Sequence, residues 1–235
     1  MKSGISGTLR WCLTCLWLAT LPAWAQVGVV RVVEGDVNVS SGRAECAPRF
    51  GLDLNEGDVV RTGEKAWAVL TMMDTTRIIV RPDSVLRIEA YRHTEGGEIT
   101  QNMARFALMR GAIRVASGQM AGGRNAGFVV RTPDTEMVMR GSDQEVAFVA
   151  PKFTAPEAEL GTYAKVYTGE AVVKSAGNEL TLKAGQVVFA GGKDKAAPRL
   201  LAADPHFFYW HSYIDRRVAT VMAAQEKEPP PEQQQ

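Results

Sequence analysis

Residues 68–89 read Ala68-Val69-Leu70-Thr71-Met72-Met73-Asp74-Thr75-Thr76-Arg77-Ile78-Ile79-Val80-Arg81-Pro82-Asp83-Ser84-Val85-Leu86-Arg87-Ile88-Glu89. Apolar residues recur at every second place, first at Ala68, Leu70 and Met72, then at Ile78 and Val80, then at Val85 and Ile88. Asp74 and the run Arg81-Pro82-Asp83 stand at the breaks. Strand side chains alternate between two faces, so this pattern asks for short half-buried strands joined by tight turns. The alternation begins at Val59 and runs to Val149. A chain built this way positions surfaces, and no catalytic pattern stands on it, which points to a binding or signalling scaffold.

Upstream, Val27–Val33 and Asp36–Ser40 read as two strands with Glu34-Gly35 between them as a two-residue hairpin turn, and 41–56 as an irregular loop with one short strand at most. Strands are expected at 58–62, 66–72, 76–81, 84–90, 103–109, 111–116, 127–132, 135–140 and 143–149, with loops at 91–102, 118–127 and 151–161. Tyr163–Thr168 and Glu170–Ser175 read as a hairpin around Thr168-Gly169, and Glu179–Lys183 and Gln186–Ala190 as another around Ala184-Gly185. The fold class is therefore all-β, many short strands in a β-sandwich or a β-helix-like roll, with regular glycine turns favouring the roll. One helix closes the chain. Asp204 can cap it ahead of Pro205, and Phe207, Trp210, Ile214, Val218 and Val221 give one apolar stripe to about Gln225. The last residues, rich in Pro and Gln, should be disordered.

The first 25 residues have the make-up of a signal peptide. Lys2 and Arg10 precede the apolar run Trp11–Leu21, and Ala23-Trp24-Ala25 fits a small-x-small cleavage site. The run falls short of the roughly 20 residues that span a bilayer, so no stable membrane anchor is expected after cleavage. Cys12-Leu13-Thr14-Cys15 has redox spacing but lies inside this segment, which leaves Cys46 alone in the mature chain. Without Lys2 and Arg10, the 27 basic residues become 25 against 26 acidic ones. That balance gives no electrostatic case for nucleic acid. The domain expectation is a signal peptide over 1–25, a β-domain over 26–200, a helix over 201–226 and a tail over 227–235.

Gly57-Asp58-Val59-Val60-Arg61-Thr62-Gly63 resembles the opening motif of the FecR domain, a bacterial envelope β-domain. Ala68–Met72 with the Asp74 turn follows, then Ile78-Ile79-Val80-Arg81-Pro82-Asp83-Ser84, Leu86–Arg92 and Met109-Arg110-Gly111-Ala112-Ile113-Arg114-Val115-Ala116-Ser117-Gly118. Arg124-Asn125, Phe128-Val129-Val130-Arg131-Thr132-Pro133 and Met137-Val138-Met139-Arg140-Gly141-Ser142 close the series, so the core motif covers 57–149. Two places depart from the family: Asp74-Thr75-Thr76 lacks the usual glycine, and Arg140-Gly141-Ser142 replaces Arg-Gly-Thr. Losing that glycine removes a residue that tolerates positive φ, so the turn type can differ.

Signalling members of that family carry a cytoplasmic anti-sigma segment and one membrane helix before this domain. In them the domain receives a signal in the periplasm from an outer-membrane transporter. With a signal peptide directly before the domain, the resemblance implies a stand-alone periplasmic version. Its expected role is protein interaction or signal sensing in the envelope, with an envelope carbohydrate- or peptidoglycan-binding module as the alternative. The partner is then an envelope protein or a glycan.

Catalysis is not expected. His206 and His211 are five apart on the helix, His93 lies in a loop, and no His, Cys or carboxylate set has metal-ligand spacing. No cofactor motif stands in the chain, since Gly122-Gly123-Arg124-Asn125 lacks the phosphate-loop pattern. The candidate binding residues are Arg114, Arg131 and Arg140, from a segment with six arginines and no lysine between 105 and 140, and Phe207 and Trp210 on the helix. If the strands bring Arg114, Arg131 and Arg140 to one face, they form a basic stripe for an acidic partner or polyanionic glycan.

Overall fold

The computed structural model describes residues 26–42, 44–94, 102–122, 127–151, 158–192 and 196–227, without the side chains of 121, 122, 142, 209, 210 and 225–227. The expected signal peptide, the Arg124-Asn125 motif and residues 228–235 lie outside the described residues. The strands are β1 (Gln26–Glu34), β2 (Val37–Ser41), β3 (Ala44–Cys46), β4 (Asp53–Asn55), β5 (Val59–Thr62), β6 (Trp67–Met72), β7 (Arg77–Val80) and β8 (Val85–Arg92). They continue with β9 (Met103–Ala116), β10 (Phe128–Arg131), β11 (Glu136–Val149), β12 (Gly161–Ser175), β13 (Asn178–Lys183), β14 (Val187–Gly191) and β15 (Ala196–Leu200), followed by the helix α1 (Phe207–Lys227).

Hydrogen bonds join the strands into one continuous sheet, and the pairings fold it into two layers. One layer runs β4, β1, β6, β7, the second half of β9, the second half of β11, the first half of β12, β14 and β15. The other runs β3, β2, β5, β8, the first half of β9, β10, the first half of β11, the second half of β12 and β13. All these pairings are antiparallel except β9 with β10. The class is thus all-β with a single C-terminal helix. The roll that the regular glycine turns favoured is not what forms: the pairing is antiparallel in all but one case and gives a sandwich whose layers share strands.

Three expected pairs of strands are single long strands that pass from one layer to the other. β9 bends at Gly111, β11 at Gly141 and β12 at Gly169, with φ of 86°, 152° and 84°. The hairpin expected around Thr168-Gly169 is therefore a bend within β12. A Cβ at Gly169 would stand 2.5 Å from the Gly141 Cα, so two bends pack backbone to backbone. The hairpins expected around Glu34-Gly35 and Ala184-Gly185 are also absent: β1 pairs β4 and β6 while β2 pairs β3 and β5, and β13 pairs the second half of β12 and β14 the first, so both turns are corners between layers. The true hairpin joins β12 to β13 through Ala176-Gly177, both at positive φ. Residues 41–56 hold two three-residue strands, β3 and β4.

The inward faces of both layers meet in one core that includes Val30, Leu70, Ile113, Phe106, Phe128 and Met139. The outward face of the first layer is also apolar at its two ends, where Tyr163, Val187 and Phe189 meet Phe208, and Val32, Trp67, Val69 and Ile79 meet Val218. Helix α1 covers that face. Its docked stripe is Phe208, His211, Asp215, Val218 and Met222, with Phe207, Ile214 and Val221 at the flanks. The helix starts at Phe207, later than the expected cap, because the Asp204 carboxylate bonds Lys165 instead of a helix N–H. It continues through Lys227, beyond the expected end near Gln225.

Candidate partner-binding site

The strand registers place the five candidate residues in two separate regions. Arg131 and Arg140 lie on the outer face of the second layer, exposed, beside Glu136 at 3.0 Å and Glu170 at 3.9 Å. Arg114 lies on the helix-covered face of the first layer, so the three arginines do not share a stripe. β9 changes layers at Gly111, between Arg105 and Arg114, and this bend separates them. Phe207 packs edge-on to Tyr163 at 5.3 Å and beside Phe208 at 4.6 Å, so its ring serves the docking of α1. The Trp210 side chain lies outside the described residues.

Under α1 the register draws one row across the first layer: Val32, Val69, Ile79, Arg114, Glu145, Lys165 and Val187. The row is apolar at its ends and charged in the middle, and α1 matches it. Arg81 follows Ile79 by two residues, so alternation turns it to the same face, where it is fully buried. Its Nη1 donates to the His211 carbonyl at 2.9 Å and lies 2.7 Å from Asp215 Oδ1. Arg114 holds Asp143 with two bonds of 2.8 and 2.6 Å, reaches Asp215 Oδ2 at 2.5 Å, and stacks 4.1 Å over the Tyr167 ring. Glu145 is fully buried. Its Oε1 lies 2.5 Å from His211 Nδ1 and 3.2 Å from Arg81 Nε, and its Oε2 accepts from the Tyr167 hydroxyl at 2.7 Å.

Burial alone pushes the Glu145 carboxyl up, but Arg81, His211 and Tyr167 outweigh it and hold the pKa down at about 2. Burial and the neighbouring Glu145 push the Tyr167 hydroxyl up, so it stays protonated and donates. Two guanidiniums thus face three carboxylates and one imidazole across the helix–sheet contact. The apolar stripe read from the sequence skipped His211 and Asp215 as polar residues. Their spacing of four on the stripe's edge was the available signal.

The outer face of the second layer is different. Arg87 pairs with Ala107, and Ala107 with Arg131, so the two arginines flank a small residue on neighbouring strands. Arg105 stands two residues along β9 from Ala107, and Arg61 two along β5 from Val59, the partner of Arg87. Arg87 and Arg105 are exposed and make no ion pair among the described residues, while Arg61 reaches Glu45 only at 3.9 Å. Toward β13 the same face alternates in sign, Arg131, Glu136, Lys174 and Glu179, and is neutralised. The basic excess therefore sits at Arg61, Arg87 and Arg105. Glycan binding commonly uses an exposed aromatic side chain on the sheet, and Trp67 offers none, because it is 3% exposed beneath α1.

Carboxylates elsewhere are engaged by groups from several segments, except that buried Asp58 accepts the Asn55 N–H with one oxygen and leaves Oδ1 without a partner among the described residues. Asp134 accepts from Thr132, Thr135, Thr162 and the Gly192 N–H, and it lines the open clefts on either side of it. Asp74 accepts from Tyr91, Thr76 and the Met120 N–H. Among the described residues no cluster of His, Cys, Asp and Glu is grouped to hold a metal, and no helix is long and apolar enough to cross a membrane.

The family described as FecR protein matches residues 58–155. Over these residues the chain is similar to FecR proteins. The match takes in Arg61, Arg81, Arg87, Arg105, Arg114 and Glu145, and ends before β12 and α1. Two crystal structures described as an anti-sigma factor from Parabacteroides distasonis ATCC 8503, at 2.50 and 1.65 Å resolution, are 14% and 15% identical to the chain. Each alignment covers 63% of this chain and 60% of the other, with TM-scores of 0.46 and 0.44. No curated protein matches the chain.

Proposed function

We propose that the protein is a non-catalytic, exported FecR-domain module that takes part in envelope signalling by binding an acidic protein surface. The observation that carries this reading is the group Arg61, Arg87 and Arg105 on the outer face of the second layer, where Arg87 and Arg105 lack ion-pair partners among the described residues. Guanidiniums in a fixed array suit clustered carboxylates, which they meet with paired hydrogen bonds. The signal-peptide pattern at 1–25 supports a periplasmic location.

The test is capture on the mature chain, residues 26–235, using the envelope fraction of its own host, in parallel with an Arg87→Glu/Arg105→Glu form. A protein retained by the first, lost from the second, and weakened by added salt supports the proposal. Equal retention by both forms would sink it. Retention of a polyanionic glycan in place of any protein would turn the reading to a carbohydrate-binding module.

A further inference from the structure

The FecR match stops at residue 155, yet four of the side chains beneath α1 lie inside it: Arg81, Arg114, Asp143 and Glu145. The domain thus carries a charged centre on its first layer, and a segment from beyond the matched residues supplies the groups that fill it. Three features make that filling replaceable. First, the centre of the contact is ionic. Buried ion pairs roughly balance their desolvation cost, and on undocking the charges regain water, so removing α1 costs less than removing an equally large apolar helix. Second, the apolar contacts fall into two separate ends, around Phe208 and around Val218, with the charges between. Third, Arg81 is left wanting. Its Nη2 finds no acceptor among the described residues, and its Nε, though 3.2 Å from Glu145, is not aligned as a hydrogen bond. A fully buried guanidinium with open donors favours any occupant that brings one more acceptor.

We propose that the α1-covered face of the first layer is a second, helix-binding site, that α1 is its resident cover, and that its outside occupant is an amphipathic helix of a partner protein that presents one carboxylate between an aromatic and an aliphatic residue. The pattern on α1 defines the chemistry: an aromatic at Phe208, a carboxylate seven residues later at Asp215 and an aliphatic at Val218. Two guanidiniums, Arg81 and Arg114, receive the carboxylate, and Tyr163, Val187 and Phe189 receive the aromatic. This site is distinct from the arginine face proposed above, which lies on the other layer.

The probe is a labelled peptide of residues 205–227, added to the full mature chain, with amide exchange followed at α1 and at β6. The expected result is that α1 amides exchange at least about tenfold faster than those of β6, through an opening short of global unfolding. The peptide should bind saturably, and an Asp215→Asn peptide at least about tenfold more weakly. In the full chain, Asp215→Asn should loosen α1 and strengthen binding of the unaltered peptide, while far-ultraviolet dichroism shows the β-domain intact. Arg87→Glu/Arg105→Glu should leave peptide binding unchanged, which separates this site from the first. Exchange of α1 at the rate of β6, no saturable binding to the Asp215→Asn chain, or uptake only as paired copies of the chain trading their helices would each overturn the proposal.

Discussion

Thr75 holds φ at 67°, a left-handed conformation that a β-branched residue occupies only under strain. This is the position where the FecR pattern carries glycine. The turn keeps its shape here because Asp74 binds its neighbours on all sides: its carboxylate accepts the Thr76 N–H and hydroxyl, and its own N–H donates to Tyr91. Thr75 is exposed, so its side chain can be removed at no cost in packing. Thr75→Gly should therefore raise stability by about 0.5–1 kcal/mol, the relief of strain less the entropy glycine adds to the unfolded chain. Denaturant titration reads it, and a lower midpoint would contradict the account. Gly111 predicts the opposite sign. A Cβ there would stand 2.5 Å from the Ser84 Cα and 2.7 Å from the Asp83 carbonyl, both held in the tight turn before β8. Gly111→Ala should cost about 3 kcal/mol or more, visible as a fall in melting temperature. The departure at Thr75 was legible in the sequence, but a change of turn type does not follow from it, since φ stays positive under the hold of Asp74. The crowding at Gly111 was not, because its neighbours lie some 27 residues away in the chain.

At the scale of the element, α1 shows what periodicity reads and what it misses. An apolar stripe predicted the helix but not what covers that stripe, and in the structure Ile214, Val218 and Val221 all face the sheet. The buried line itself is turned toward His211 and Asp215, whose partners Arg81, Arg114 and Glu145 sit on three other elements. Only pairing across the sheet brings those together, so no local pattern announces them. The same cluster makes stability depend on pH. The Glu145 pKa lies at about 2 in the folded protein against 4.5 ordinarily, so its contribution is present above pH 4.5 and is lost as pH falls toward 2. The groups around it are Arg81 after β7, Arg114 on β9, Lys165 and the protonated Tyr167 on β12, and His211 and Asp215 on α1. Glu145→Gln should remove that acid-dependent loss. At neutral pH it should also cost about 3–5 kcal/mol, because Arg81 stays buried without its carboxylate. Denaturant midpoints at pH 7, 4 and 2.5 check both, and an unchanged acid profile in the variant would assign the loss to other carboxylates.

For the whole molecule the deciding feature is that β9, β11 and β12 belong to both layers. In the sequence their bends looked like turns, since a glycine between two alternating runs marks a hairpin and a bent strand alike. What distinguishes them is pairing: residues 162–165 of β12 pair with β14 and residues 170–175 with β13, on opposite sides of the core. Two layers stitched by three shared strands cannot come apart one at a time, so the β-domain should unfold in a single transition. Gly169→Ala tests this directly. Its Cβ would meet the Gly141 Cα at 2.5 Å, where the bends of β11 and β12 cross, and φ of 84° disfavours any side chain. The lesion lies at the boundary between layers, so protection of backbone amides should fall by the same factor in β14 of one layer and β13 of the other. A fall confined to one of these strands would mean that the layers open independently, and the shared strands would then be hinges between two units.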